Sequence, residues 1–351
     1  DSVYIDRLSR IPAIMEMPYN DIIRKFIDMY AGRLRNQVSF MLSACNFYMP
    51  IFEEALDAYG LPLELRYLPI IESALNPSAV SRAGASGLWQ FMIGTGKIYG
   101  LESNSLVDER RDPIKATWAA ARYLKEMYDI YGDWNLVIAA YNCGPGTINK
   151  AIRRANGETD YWKIYNYLPK ETRGYVPAFI AANYVMTYYC DHNICPMETN
   201  IPASTDTVQV NKNLHFEQIA DLCNVPLDQI KSLNPQYKKQ MIPGDSKPYT
   251  LRLPIDAIST FIDKQDTIYT HRADELFRNR KTVAVKDITP ATRKTTSAVA
   301  GKGNLTYYTI KSGDTLSTIA RKYGVTIKDI QRWNGMSSTK IAAGKRLKIY
   351  K

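Results

Sequence analysis

The sequence has 351 residues, of which 45% are hydrophobic, 23% charged and 11% aromatic. This length suits two or three domains, and this composition excludes a wholly disordered chain, a collagen-like fibre and a small disulfide-rich toxin. The net charge of +10 would suit nucleic acid, anionic lipid or an acidic polysaccharide, so charge alone selects no partner.

Residues 20–190 show helical periodicity almost throughout, which predicts an all-α domain. Cap residues and prolines mark where the helices begin and end. The pattern predicts one helix from Ile51 to Tyr59 stopped by Gly60 and Pro62, one capped by Asp112 with Pro113 in its first turn, one begun by Asp133 and stopped at Gly144-Pro145-Gly146, and a buried one with Pro177 in its first turn.

After the helical part, a small unit occurs twice, at residues 205–255 and 305–351. Each copy reads strand, helix, helix, strand, and Asp314 is predicted to cap the first helix of the second copy. The predicted strands are Asp206–Val210 and Tyr249–Leu253 in the first copy, and Tyr307–Ile310 and Arg346–Tyr350 in the second. An internal repeat of one βααβ unit explains this pattern most economically.

Between the two copies, residues 264–304 are rich in Lys, Arg, Thr, Ala and Gly and are predicted to form a basic flexible linker. Residues 271–302 contain eight Lys or Arg against three acids, so half of the net charge lies there. A basic excess in a linker, without interleaved aromatic residues, argues against a nucleic-acid groove. The sequence therefore predicts no nucleic-acid partner.

One stretch of the helical part carries candidate chemistry. Glu72 follows the apolar run 69–71, and if it ends a helix beside a cleft, desolvation would raise its pKa and keep it protonated near neutral pH. Such a carboxyl can act as a general acid. Taken alone, Glu72 is more often a solvated residue at a helix end, so the interpretation depends on its surroundings.

Five motifs follow one another in the order Glu72-Ser73, Gly-Leu-Trp-Gln at 87–90, Asp-Glu-Arg-Arg-Asp-Pro at 108–113, Ala-Tyr-Asn at 140–142 and Tyr-Val-Pro at 175–177. This series, from about Met49 to Tyr184, resembles the lytic transglycosylases of the membrane-bound lytic murein transglycosylase D type, which have a goose-type lysozyme-like SLT domain. The resemblance implies such a domain at 46–200, with a helical arm at 1–45 packing on it. The expected fold class is α+β multidomain: an all-α lysozyme-like catalytic domain followed by small βααβ modules.

The resemblance also implies roles for individual residues. It places the catalytic acid/base on Glu72 and implies neither cofactor nor metal. The family cleaves the β-1,4 bond between N-acetylmuramic acid and N-acetylglucosamine in peptidoglycan. The resemblance assigns the lining of the glycan groove to Ser81, Gln90, Met92, Tyr141, Asn142 and Tyr175. Cys143 stands where the family often has alanine, which raises the question of oxidation beside the cleft.

Ordinary glycosidases use two carboxylates about 5 to 9.5 Å apart, whereas the motifs here offer one. A single glutamate suffices if the attacking oxygen is the C6 hydroxyl of the substrate, which gives a 1,6-anhydro product without water. Asp108, Glu109 and Asp112 are the candidates for a second carboxylate, and the favoured alternative is that they cap helices and pair with Arg110 and Arg111. A hydrolytic muramidase on the same fold and a non-catalytic wall-binding scaffold are the competing functions.

The second small unit resembles a LysM module through Ser-Gly-Asp-Thr-Leu at 312–316 and Trp333-Asn334. LysM modules bind glycans that contain N-acetylglucosamine between two loops. The resemblance assigns this contact to Gly313, Asp314, Thr315, Leu316 and Ile341. The first unit has Asn-Lys-Asn-Leu at 211–214 instead, so we expect a degenerate LysM-like module whose glycan binding is open, with packing on the catalytic domain as the alternative.

The resemblance implies a bacterial cell-envelope enzyme, periplasmic and monomeric, with peptidoglycan as its partner. The sequence contains no apolar run of the ~18 to 20 residues that a membrane span needs. Because the chain opens at Asp1 rather than Met, the sequence leaves open whether a segment with an outer-membrane anchor was removed from its N-terminus. Cys190 and Cys195 could form a local disulfide or remain free thiols.

Overall fold

The computed structural model describes residues 1–278, 305–311, 314–334, 336, 339, 341–342 and 344–350. It divides into two compact units, Asp1–Pro290 and Ala291–Lys351. Residues 279–304, which hold most of the predicted basic linker, lie outside the described residues.

The first unit begins with a helical domain. Its α-helices are α1 (Ser2–Ser9), α2 (Asp21–Ala31), α3 (Arg35–Ala58), α4 (Leu68–Ser73), α5 (Ile93–Ile98), α6 (Pro113–Tyr131), α7 (Trp134–Cys143), α8 (Pro145–Arg154), α9 (Tyr161–Ile164), α10 (Lys170–Arg173) and α11 (Tyr175–Thr187). Short 3-10 helices lie at Leu63–Tyr67, Glu109–Arg111, Tyr165–Tyr167 and Tyr189–His192.

The helix boundaries confirm the cap signals of the sequence. The Asp112 carboxylate accepts hydrogen bonds from the N–H groups of Ile114 and Lys115 at 2.9 and 3.0 Å and so begins α6. The side chain of Asp133 caps α7 in the same way. Helix α3 is longer than predicted, because it continues through Pro50 from a start at Arg35.

Helix α11 lies at the centre of the core, as its nearly all-apolar sequence predicts. Side chains of the N-terminal residues, among them Leu8, Ile23 and Ile27, are buried in the same apolar cluster. The helical domain is thus built around one hydrophobic core that includes its first residues.

A small mixed module, which we call the middle module, completes the first unit. Its elements are β1 (Thr205–Val210), β2 (Asn213–His215), α12 (Phe216–Cys223), α13 (Leu227–Leu233), β3 (Met241–Pro243), β4 (Tyr249–Pro254), α14 (Ile255–Asp263), α15 (Gln265–Thr270) and α16 (Ala273–Leu276). Strand β1 pairs antiparallel with β4, and β2 pairs antiparallel with β3. The predicted order of strand, helix, helix and strand is confirmed, and the β2–β3 pair adds to it.

The middle module continues beyond the expected end at residue 255. Helices α15 and α16 occupy the start of the predicted linker, and Phe261 and Ile268 are buried in the module's apolar cluster. Helix α15 packs on the module because Ile268 is buried in that core.

The second unit contains the C-terminal module, with β5 (Leu305–Thr309), α17 (Leu316–Tyr323), α18 (Ile327–Trp333) and β6 (Arg346–Tyr350), where β5 pairs antiparallel with β6. The expectation that Asp314 caps α17 is wrong. Its carboxylate instead accepts hydrogen bonds from Tyr308 OH at 2.7 Å and from Lys311 N–H at 2.8 Å. Thr315 caps the helix, since its Oγ1 accepts from Thr318 N–H at 3.2 Å.

Candidate active site

Glu72 lies in the last turn of α4, where the chain turns sharply. Leu68, Pro69 and Ile70 of this helix are buried, which fixes the helix on the core. Ala74 and Leu75 adopt positive φ values of 51° and 58°, so the helix ends directly after Ser73. Glu72 is half-buried.

The environment of Glu72 favours the protonated acid. Burial raises the pKa of Glu72 to about 7, although the hydrogen bond that Tyr175 OH donates to its Oε1 acts to lower it. Burial first, and then the nearby Glu72 charge, raise the pKa of Tyr141 and Tyr175 well above the usual value. Glu72 therefore titrates close to neutral pH beside two tyrosines that keep their protons.

The loop from Ser81 to Met92 lies next to α4. Ser73 Oγ donates to the Leu88 carbonyl at 2.9 Å, and Tyr141 OH donates to the Trp89 carbonyl at 2.6 Å. Gln90 has a positive φ of 49°, and its Nε2 donates to the Gly87 carbonyl at 2.8 Å. The structure thus brings Glu72, Tyr141 and Tyr175 together with the loop that carries Gln90.

The other predicted groove residues are exposed. Ser81 Oγ accepts from Ala85 N–H at 3.0 Å, Met92 is 45% exposed, and Asn142 Oδ1 accepts from Thr172 Oγ1 at 3.0 Å. Their roles toward a glycan stay predictions.

A buried ion pair, which the favoured alternative for Asp108 included, also holds the loop through carbonyl contacts that the sequence did not predict. The Arg110 guanidinium pairs with Asp108 at 2.7 Å and donates to the carbonyls of Gly84 and Phe91 at 2.8 and 2.9 Å. Gly87 packs against the Arg110 backbone so closely that a Cβ would lie 1.8 Å from its carbonyl oxygen, and its φ is +88°. Only glycine fits there, which explains the glycine in the Gly-Leu-Trp-Gln motif.

The three candidates for a second carboxylate have structural partners. Asp108 pairs with Arg110, Glu109 pairs with Lys115, and Asp112 caps α6. This outcome agrees with the alternative interpretation, except that the partner of Glu109 is a lysine rather than an arginine.

The predicted glycan contacts of the C-terminal module are spread over different environments. Thr315 is exposed, whereas Leu316 is buried in the module's core, with 2% of the residue exposed. Ile341 lines a cavity of about 440 Å³ together with Asn334 and Met336. Gly313 lies outside the described residues, and the binding role of this set stays a prediction.

Within the described ranges, no three His, Cys, Asp or Glu side chains come together in a way that could hold a metal ion. No helix in these ranges is both long enough and apolar enough to cross a membrane. Cys190 and Cys195, like the other three cysteines, are free thiols in the structure.

Three family models match the chain. The transglycosylase SLT domain matches residues 49–164, the LysM-like domain of lytic transglycosylase MltD matches 204–270, and the LysM domain matches 308–349. The membrane-bound lytic murein transglycosylase D of Escherichia coli K12 is 32% identical over 339 residues, which are 95% of this chain and 70% of that protein. The chain belongs to this family. It is accordingly a multidomain lytic transglycosylase with a lysozyme-like helical domain.

Other relatives match a smaller share of the chain. The soluble lytic murein transglycosylase of E. coli K12 is 33% identical over 124 residues, 34% of this chain and 19% of that protein. The crystal structure of the 70 kDa soluble lytic transglycosylase of E. coli is 29% identical, with a TM-score of 0.36, over 41% of this chain and 24% of that one.

Proposed function

We propose that the chain cleaves the β-1,4 bond between N-acetylmuramic acid and N-acetylglucosamine in peptidoglycan without water, with Glu72 as the only acid and base. The observation that carries this proposal is a half-buried carboxyl whose pKa is raised to about 7 by desolvation. The three candidates for a second carboxylate, Asp108, Glu109 and Asp112, are engaged in ion pairs and a helix cap instead. Two-carboxylate hydrolysis would need a partner about 5 to 9.5 Å away.

In the first step, protonated Glu72 donates its proton to the glycosidic oxygen as the C1–O bond breaks. The leaving sugar departs with a free C4 hydroxyl, and positive charge develops at C1 of the muramyl ring. The hydrogen bond from Tyr175 OH to Oε1 stabilises the carboxylate that this step leaves behind.

In the second step, the Glu72 carboxylate accepts the proton of the C6 hydroxyl while O6 bonds to C1. The product is a 1,6-anhydro ring, and Glu72 is protonated again. Since the attacking oxygen and C1 belong to the same ring, their high effective concentration compensates for the missing nucleophilic carboxylate.

The substitution Glu72→Gln tests this assignment, since it removes the titrating proton and keeps the shape of the side chain. We expect digestion of purified sacculi to slow at least 100-fold. Mass spectra of the fragments released by the wild type should contain 1,6-anhydro ends. The wild-type rate should fall as the pH rises through about 7, because the acid must be protonated.

Stability measurements separate a chemical role from misfolding. The pKa of Glu72 rises from 4.5 to about 7 on folding, so ionisation of this carboxyl lowers the free energy of unfolding. The loss is absent below pH 4.5 and complete above about pH 7. Glu72→Gln should therefore unfold at the same temperature as the wild type or higher at pH 8. Reducing ends among the products would instead identify a hydrolase, and undiminished digestion by the variant would refute the role of Glu72.

Peptidoglycan as substrate implies a place in the bacterial envelope. We extend the proposal to a monomeric periplasmic enzyme with an outer-membrane anchor, which the membrane-bound relative supports. The C-terminal module is proposed to bind N-acetylglucosamine-containing glycan and so to raise the local substrate concentration.

A further inference from the structure

A groove of about 890 Å³ lies between the helical domain and the middle module. Its volume falls within the ~300 to 1,000 Å³ range of ligand-binding sites. Helix α3 and the segment after α4 line one side, through Phe40, Tyr48 and residues 75–77. The connector at 198–201 and residues 226–232 of the middle module line the other.

Hydrogen bonds fix the walls of this groove. Ser39 Oγ donates to the Cys195 carbonyl, and the Ser39 carbonyl accepts from Met197 N–H at 3.2 Å, so the connector is attached to α3. Gln229 Nε2 donates to the Asn200 carbonyl at 3.2 Å, which ties the connector to the middle module. A ligand therefore meets a groove that is already formed.

The lining has the chemistry of a sugar site. Among the lining residues, all of which the structure describes, Glu198 and Asp228 are the charged ones, and neither Lys nor Arg contributes. This charge disfavours phosphates and free carboxylates. The remaining side chains offer amides, hydroxyls and apolar surface, including Phe40, which is 39% exposed.

Three residues that line the groove lie close to Glu72 in the chain. Leu75, Asn76 and Pro77 line it, and they follow Glu72 almost directly in the chain. Four residues span at most ~14 Å, so the Cα atoms of Glu72 and Asn76 lie within that distance. The groove therefore lies within reach of a polymer whose scissile bond is at Glu72.

We infer that this groove binds uncharged N-acetylated sugar units of the same glycan strand, beyond the bond that Glu72 cleaves. The inference rests on the proposed function. The inference gives the middle module a role in substrate binding, through residues 226–232 and through the connector at 198–201.

Groove-filling substitutions test the inference. The double variant Thr199→Leu/Ser232→Leu replaces one hydroxyl on the connector and one on α13 by branched apolar groups that occupy the groove and cannot hydrogen-bond. We compare kcat/KM on long glycan strands with kcat/KM on the shortest N-acetylmuramyl-N-acetylglucosamine fragment that is cleaved. The ratio of the two should fall about tenfold in this variant.

A matched control makes the same residue changes outside the groove. Ser259→Leu/Thr270→Leu alters exposed positions of α14 and α15 and should keep the wild-type ratio. An unchanged ratio in the groove variant, or an equal fall in both double variants, would overturn the inference. Reducing ends in the wild-type products would defeat the non-hydrolytic mechanism alone, because the ratio reports on the groove whichever products form.

Discussion

The middle and C-terminal modules share one fold and one internal clamp. Asn234 donates from Nδ2 to the carbonyls of Ile230 and Arg252 at 2.9 and 2.8 Å, and its Oδ1 accepts from Arg252 N–H at 2.8 Å. Asn334 makes the same three bonds in the C-terminal module, at 2.8, 2.9 and 2.7 Å. In each copy this asparagine joins the second helix to the last strand, so the internal repeat is confirmed at the level of single bonds.

The two modules differ in the loops between which LysM modules bind glycan. In the middle module, β2 and β3 pair across these loops, and Asn213 N–H donates to Asp245 Oδ1 at 3.1 Å. A Cβ on Gly244 would lie 2.3 Å from the Lys212 carbonyl oxygen, so the loops are in close contact. In the C-terminal module the corresponding cavity, lined by Ile341, has about 440 Å³.

The middle module is attached to the helical domain. Leu106 and Val107, just before the Asp108–Arg110 pair, are buried in the apolar cluster of the middle module. The Asp108 N–H donates to the Gln236 carbonyl at 2.8 Å. The same fold therefore supports the loop beside Glu72 in one copy and keeps an accessible cavity in the other.

Matched core truncations should separate these roles, and they carry the largest expected effect. Ile230 and Ile330 occupy equivalent positions and are both fully buried. Ile→Ala should cost each module about 2 to 5 kcal/mol. Ile230→Ala should also lower the temperature at which transglycosylase activity is lost, because its cluster contains Leu106 and Val107. Ile330→Ala should leave that temperature unchanged.

Residual activity after heating measures this difference, and urea unfolding of both variants verifies that the destabilisation is comparable. Equal loss of heat resistance in both variants would contradict the supporting role of the middle module. Unaltered heat resistance in both would contradict it as well.

Local signals were sufficient for most of the fold. Asp112 and Asp133 marked helix starts because their side chains bond to N–H groups two or three residues away. The β2–β3 pair could not be predicted, since three-residue strands are too short for an alternating pattern to stand out. Helix α15 was assigned to the linker because burial of Ile268 depends on contacts with the distant α12.

The candidate site could be predicted only in part from the sequence. The series of motifs predicted Glu72 and the loop around Gln90, because these residue types stand at the spacing of a known family. The support given by Arg110 was not predicted, since its partners at Gly84 and Phe91 lie about twenty residues away and are backbone carbonyls. A carbonyl has no sequence signature, so only the fold reveals this contact.

Removing the shared clamp should have a smaller effect than removing core volume. Asn234→Ala and Asn334→Ala each lose three hydrogen bonds and leave backbone groups unpaired, which should cost about 1 to 3 kcal/mol. Asn234 is 1% exposed and Asn334 is half-buried, so water can replace the lost partners more easily in the C-terminal module. Urea unfolding should therefore give the larger loss for Asn234→Ala, and the opposite order would contradict the comparison.

The smallest expected effect concerns the ion pair between the middle module and the helical domain. Lys247 Nζ lies 2.6 Å from Glu102 Oε2, with the lysine side chain 52% exposed. Lys247→Met should cost less than about 1 kcal/mol, as solvent-exposed pairs do. Lys163→Met breaks the pair of Lys163 with Glu158, which lies within the helical domain, and serves as control. Both losses should shrink in 1 M salt, where the screening length falls to about 3 Å. A cost of Lys247→Met that persists at high salt, while that of Lys163→Met shrinks, would contradict a screened surface ion pair as the role of Lys247, because methionine keeps an unbranched apolar chain.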